Sequence, residues 1–280
     1  MPKLSSITIN LTKKTSQERD YLAHTLYEAH QKIFDGVSFE AFNHYVMSTR
    51  GIINKVRILK SDKEMVGYCA IHAYPMSILG RTINVVKIET GVFSEYRGKL
   101  TVSAFVAMEL LKIAFRFPLQ KSYYYGSMIS PASYRAFTKV THGVYPTYSA
   151  PPNPKMEKLL KAIGDQFYPE IPSRPGIRNV GWKVRLPQEQ REKWKNSDNP
   201  GVQFYLKKNP DYAKGYGLPI ISSLTVKNYI FTLFNIMIEK IHNYWLYSRS
   251  SVSLFCSKKN ATVLGKNSPV YSQEQIKKSN

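Results

Sequence analysis

Cysteine is nearly absent from this chain, with only Cys69 and Cys256 in 280 residues. Two cysteines cannot build the disulfide framework of a small secreted scaffold. Cys69 lies in the apolar run Val66-Gly67-Tyr68-Cys69-Ala70-Ile71, which predicts a buried, inert thiol and a reducing compartment. The six histidines (His24, His30, His44, His72, His142 and His242) stand at no metal-ligand spacing from a cysteine or an acid, so no metal site is predicted. Long apolar runs are also missing. The most apolar stretch, Leu218 to Ile238, is broken by Ser222, Ser223, Thr225, Lys227, Asn228, Thr232 and Asn235. It reads as a buried or interfacial helix and not as a membrane span. Met1 to Asn10 has no apolar core of a signal peptide, and a cytoplasmic protein is expected.

Acids are the other scarcity: 19 against 40 lysines and arginines, a net charge of +21. The surplus is spread, with 19 cations against 10 acids in residues 1–140 and 21 against 9 in residues 141–280. Such a field attracts an anionic partner: cofactor phosphates, nucleic acid, an acidic protein or an anionic membrane surface. Charge alone does not choose among them, and a solvated basic surface is the plain alternative. What is present is a globular composition, 43% hydrophobic and 21% charged.

Periodicity gives the order of elements. Leu4 to Leu11 is β-branched and reads as a strand; Ser16 opens a helix striped by Leu22, Leu26, Ala29 and Ile33. A short helix follows from Phe39 to Met47. Ile53 to Leu59 and Met65 to Tyr74 form a hairpin across the polar turn Ser61-Asp62-Lys63-Glu64, and Thr82 to Phe93 is a third strand. Val102 to Phe115 is helical, Lys121 to Met128 is a tyrosine-rich strand, and Ser130-Pro131 opens another helix to Val140. A meander followed by one β-α-β crossover implies a mixed sheet with one parallel pair. Beyond Pro146, a helix is predicted over Met156 to Ile163, a loop at 171–176, and strands over Val180 to Leu186 and Val202 to Leu206. Turns follow at Asn209-Pro210 and Gly215-Tyr216-Gly217, then a helix from Leu224 to Tyr247 and a polar, basic remainder.

The segment with chemistry in it runs from Val85 to Lys99: strand, short turn with Arg97-Gly98-Lys99, then helix. Amides at such a helix start lack intrahelical partners, and the helix dipole favours an anion there. Arg97 and Lys99 add charge, and Gly98 lets a ligand approach the backbone. Glu89 is an acid inside an apolar strand, which makes it either a general base or a carboxylate paired with a lysine such as Lys87. His72, also in a strand, is a second candidate base or simply a satisfied histidine.

Val92 followed by Glu95-Tyr96-Arg97-Gly98-Lys99 resembles the cofactor motif of the GNAT acyltransferase superfamily, in which an Arg/Gln-x-x-Gly-x-Gly/Ala loop wraps the pyrophosphate of acetyl-CoA. The resemblance extends to the element order, to the strand at Tyr123-Tyr124-Tyr125-Gly126 and to the helix at Ser130, over roughly residues 4 to 145. It departs at Leu100 and Val102, where the family has small residues, which makes close approach of a diphosphate harder. The resemblance implies an α+β fold, with a central mixed, mostly antiparallel sheet flanked by helices. It implies residues 1–210 as the acyltransferase domain, 211–250 as a helical extension and 251–280 as a basic tail. It implies acyl transfer from acetyl-CoA or another acyl-CoA to an amine by direct attack. Val92, Phe93, Arg97, Gly98, Lys99, Leu100, Thr101 and Val102 would bind the cofactor, and an amide near Val92 or Phe93 would hold the oxyanion. Glu89 would be the base, with Tyr134, or Tyr124 or Tyr125, as the acid. Two alternatives stay open: an acyl carrier protein as donor, as in N-acyl amino acid or acyl-homoserine-lactone synthases, or a non-catalytic module for an anionic partner.

Overall fold

The local signals for helix entry are read directly in the computed structural model, which describes residues 3–97, 102–239 and 241. Helix α1 (Ser16–Ile33) starts on a capping box in which Thr15 accepts from the Glu18 amide and Glu18 accepts from the Thr15 amide. After strand β1 (Leu4–Asn10) and α1 come the two-residue β2 (Phe34–Asp35) and α2 (Phe39–Val46), capped by Ser38. The meander is β3 (Ile53–Ser61), β4 (Glu64–Ile78) and β5 (Arg81–Val92). The crossover is α3 (Val102–Arg116), leading to β6 (Ser122–Met128); α4 (Pro131–Val140) follows on its Ser130 cap. Then come β7 (Val144–Tyr145), α5 (Pro154–Phe167), β8 (Glu170–Ile171), β9 (Arg174–Asn179), β10 (Lys183–Val184), α6 (Gln188–Lys195), α7 (Pro200–Lys208) and β11 (Tyr216–Ser223).

The main sheet runs β1-β3-β4-β5-β6-β11-β9-β8, with β7 also paired to β11. Every pairing is antiparallel except β5 with β6. This is the mixed, mostly antiparallel sheet flanked by helices that the sequence predicts. Alternation splits the meander between two layers. Val85 belongs to the core under α1, α2 and α5, while its neighbour Val86 packs with Phe105 and Ile113 of α3. A third cluster joins Tyr124 and Tyr134 to Tyr205 of α7.

Four expectations in the second half are corrected. Val202 to Leu206 is part of a helix: Asn199 accepts from the Val202 amide at 3.1 Å and Pro200 takes the first turn, a start signal that outweighs the apolar run. Of Val180 to Leu186 only Lys183 and Val184 pair, with Asp35 and Phe34, because the Val180 and Gly181 amides are both tied to the Gly215 carbonyl. The loop expected at 171–176 instead carries β8 and the start of β9. The turn expected at Gly215-Tyr216-Gly217 is the head of β11, which lies inside the sheet, beyond the domain boundary expected at 210. Pro219 is tolerated within this strand by its direction. The Leu224 amide bonds the Ser122 carbonyl, so even-numbered residues of this strand point their amides at β6. Pro219 points the other way, between Gly217, where β9 stops, and Ile221, where β7 begins.

The chain divides into two units, residues 1–233 and 234–280. In the first, residues 226–233 are helical; in the second, residues 234–239 and 241 are helical. The end of the expected helix, at 242–247, and the expected tail at 251–280 lie outside the described residues. Among the described residues no helix is long and apolar enough to cross a membrane, and no group of His, Cys, Asp and Glu is arranged to hold a metal.

Candidate functional site

The parallel ladder between β5 and β6 is short. It joins Asn84, Val86 and the residue between them to Ser122, Tyr124 and the residue between them, and then stops. β5 continues to Val92 and β6 to Met128, so beyond Val86 the two strands run on without pairing. Backbone direction along β5 is fixed by two bonds. The Phe93 amide donates to the Val66 carbonyl at 3.0 Å, toward β4, and the Asn84 amide donates to the Lys121 carbonyl at 2.9 Å, toward β6. With no register shift between β4 and β5, the amides of Ile88, Thr90 and Val92 therefore point toward the side that β6 has left. Phe93, a candidate oxyanion donor from the sequence, has its amide committed to the sheet; Val92 has the right direction.

On the α1–α2–α5 face of β5, Lys87 and Glu89 stand two residues apart and point the same way. Their side chains pair at 3.0 Å and are 5% and 15% exposed. The Lys87 ammonium also donates to the Tyr168 hydroxyl at 2.8 Å, and that hydroxyl donates to Glu89 Oε1 at 3.3 Å. The rings of Tyr45, Phe167 and Tyr168 lie within 4.9 Å of the ammonium, measured to their centroids. Burial pulls the Lys87 ammonium below its ordinary range, and the Glu89 charge works against that shift. Burial and the Glu89 charge push the Tyr168 phenol well above its usual value. The result is a closed triangle of hydrogen bonds, Lys87–Tyr168–Glu89, in an aromatic box.

Tyr168 reaches this position through a second buried group. Arg178 of β9 is fully buried; it donates to the Tyr168 carbonyl at 3.2 Å, to the Lys161 carbonyl at 3.2 Å and to Asp165 at 2.7 Å. The end of α5 is thereby clamped to the sheet. The sequence offers Glu89 and Lys87 as a pair, but nothing local in it marks Tyr168 or Arg178, whose partners are brought in by the packing of α5 and β9.

The other expected residues are dispersed. The Tyr134 hydroxyl donates to the Pro146 carbonyl at 3.2 Å and its ring packs against Phe204 and Tyr205; burial pushes its phenol up to about 12. Tyr124 stacks on Phe137, and Tyr125 stacks on Phe167 with its hydroxyl 3.4 Å from Ser127. His72 is buried between Asn54 and the Val46 carbonyl, each at 3.1 Å. Arg97 donates through Nε to the Val92 carbonyl at 3.2 Å, which turns its guanidinium back over the end of β5. Val102 is half-buried and packs on the α3-side core. Gly98, Lys99, Leu100 and Thr101 lie outside the described residues.

No family model and no curated protein matches this chain. Solved structures do. A protein of Enterococcus faecalis V583 given as a probable N-acyltransferase is 15% identical over 52% of this chain, at a TM-score of 0.34. The match spans 33% of that protein, so this chain corresponds to about a third of its length. A ribosomal-protein-alanine N-acetyltransferase of Brucella melitensis biovar Abortus 2308 is 14% identical over 49% of this chain and 90% of its own, at 0.32. A GNAT-family acetyltransferase of Streptococcus pneumoniae is 11% identical over 54% of this chain and 92% of its own, at 0.32. Superpositions this loose carry no argument of their own. The fold stands on strand order and on the single parallel pair that parts beyond Val86.

Proposed function

We propose that this chain transfers an acyl group from a CoA thioester to an amine in the gap beyond Val86, where β5 and β6 separate. The observation that supports it is the coincidence, on one strand, of three amides aimed into the gap and a buried Lys87–Tyr168–Glu89 group on the adjoining face. An extended pantetheine arm meets the exposed strand edge as a further strand would, and Arg97 supplies charge at the end where phosphates would lie. The amine nitrogen attacks the thioester carbonyl carbon, the carbon–sulfur bond breaks, and the thiolate leaves. An amide among Ile88, Thr90 and Val92 stabilises the oxyanion formed on the way. The amine's proton passes to Glu89, and the Tyr168 hydroxyl, polarised by Lys87, returns one to the thiolate. Tyr168 takes in this reading the acid role that the sequence offers to Tyr134. The net charge of +21 favours a second donor, the same arm carried on an acidic acyl carrier protein.

The test is a thermal melt with acetyl-CoA, with free CoA and with acyl-loaded carrier protein, repeated for Arg97→Ala, Glu89→Gln and Tyr168→Phe. Arg97→Ala is expected to reduce the stabilisation by the ligand. Glu89→Gln and Tyr168→Phe are expected to keep the stabilisation and to lose turnover by about a hundredfold or more, the usual scale of positioned proton transfer. Absence of stabilisation by all three ligands would overturn the reading.

A further inference from the structure

A cavity of about 790 Å³ lies between the first turns of α1 and the length of α2. Arg19 and Asp20 at the start of α1 line it, and its His44 ring lies 4.9 Å from Tyr45, on the outer side of the aromatic box around Lys87. Its floor brings two nitrogenous groups together. Arg50 Nη2 lies 2.8 Å from His44 Nε2 and 3.4 Å from Nδ1; a guanidinium can only donate, so this contact suits a neutral imidazole. Burial, Arg50 and Lys87 all pull the His44 imidazole below its ordinary range.

The neighbouring charges do not answer Arg50. Arg19 is tied to the Lys14 carbonyl and Ser16. The Glu40 carboxylate is held low by its own backbone amide and by Ser38, at the start of α2. Among the described residues no carboxylate forms an ion pair with Arg50. A guanidinium that leans on a neutral imidazole at the wall of an open cavity lacks the anion its fork is shaped for.

We propose that this cavity binds a small oxyanion, a phosphate or a carboxylate, through the Arg50 guanidinium, with His44 taking up a proton as the anion enters. The bidentate face of Arg50 gives orientation, and the protonated imidazole gives a second charged donor. The charged groups acting on His44 are Arg50 and, beyond the Tyr45 ring, Lys87, and both oppose its protonation; Arg19, Asp20 and Glu40 line the same cavity. An anion beside Arg50 offsets that opposition and favours the imidazolium, so binding tightens as pH falls. This site is independent of the acyl-transfer reading.

Titrations with phosphate, sulfate and succinate, each against sodium chloride at equal ionic strength, test it by melting temperature and by the His44 imidazole resonance. Saturable stabilisation by at least one of the three is expected, with phosphate and sulfate against succinate separating the two source chemistries. Sulfate, whose charge is constant, is expected to bind more tightly at pH 6 than at pH 8. Arg50→Gln is expected to weaken binding by about tenfold or more, whereas Lys207→Gln, the same charge loss on α7, leaves it unchanged. Should Arg50→Gln melt before it can be titrated, His44→Gln serves; it is expected to abolish the pH dependence. Equal losses in Arg50→Gln and Lys207→Gln, a pH dependence kept in His44→Gln, or responses that match sodium chloride would overturn the site.

Discussion

Replacing Lys87 with methionine isolates the electrostatics of the buried triangle. Methionine keeps most of the aliphatic stem against Tyr45, Phe167 and Tyr168, so little cavity opens. What is lost is the cation 3.0 Å from a carboxylate that is 15% exposed. Removing one partner of a buried pair leaves the other uncompensated, at a cost of about 3–5 kcal/mol. That is a large share of the roughly 5–15 kcal/mol by which a domain is stable. Glu89→Gln keeps the shape and a hydrogen-bond acceptor. It leaves a lysine that burial already pushes toward the neutral form, so its cost is expected to be nearer 1–2 kcal/mol, that of one unsatisfied partner. The double variant removes both charges, and its cost is expected to fall short of the sum of the singles by about 2 kcal/mol or more. Urea denaturation followed by circular dichroism at pH 7 reads all four corners of the cycle. Additivity of the two substitutions would show that the charges are not what holds this group together.

Two further outcomes follow from other buried groups. His30 and His72 are held at about 4 by burial, against an ordinary 6.5. The unfolded chain therefore binds protons there that the folded chain refuses, so stability is full above pH 6.5 and falls as pH drops toward 4. Each contributes up to roughly 3 kcal/mol to that loss. His72→Asn is expected to flatten part of the acid limb in a pH series of denaturant midpoints. Arg178→Met strips the Lys161 and Tyr168 carbonyls of their donor; a loss of about 2–4 kcal/mol is expected, moderated because Asp165 is half-exposed. The same variant is expected to lower kcat of the proposed reaction with little change in KM, as Tyr168 loses its anchor.

How much of this was legible beforehand differs from element to element. The meander, the crossover helix and the helix at Pro131 are local statements: alternation, a stripe, a cap followed by proline. They are found where the pattern predicts them. The strand at Tyr216–Ser223 breaks local rules twice, with a glycine near its head and Pro219 in its middle. It is a strand only because partners on its two edges leave that nitrogen a vacant interval. Val202 to Leu206 fails in the opposite sense, since an apolar run five residues long cannot distinguish a strand from one face of a short helix. At the site, spacing alone put Lys87 beside Glu89, because residues two apart in a strand share a face. Tyr168 and Arg178 lie about 80 and 90 positions downstream of them, and no spacing rule reaches that far.

The position of β11 bears on how the chain is made. It is the sixth strand across the sheet but the last of the described strands to be synthesised, and until it arrives β6 has an open flank on that side. A nascent chain emerging from the ribosome can close the hairpins from β3 to β5, yet must hold the tyrosine-rich edge of β6 unpaired through some ninety residues of further translation. A fragment ending at 210 would keep that edge bare permanently, and edges of this kind recruit other copies. Truncated chains that retain residue 223 should therefore be recovered as soluble protein, whereas those cut before 216 should be found in inclusion bodies.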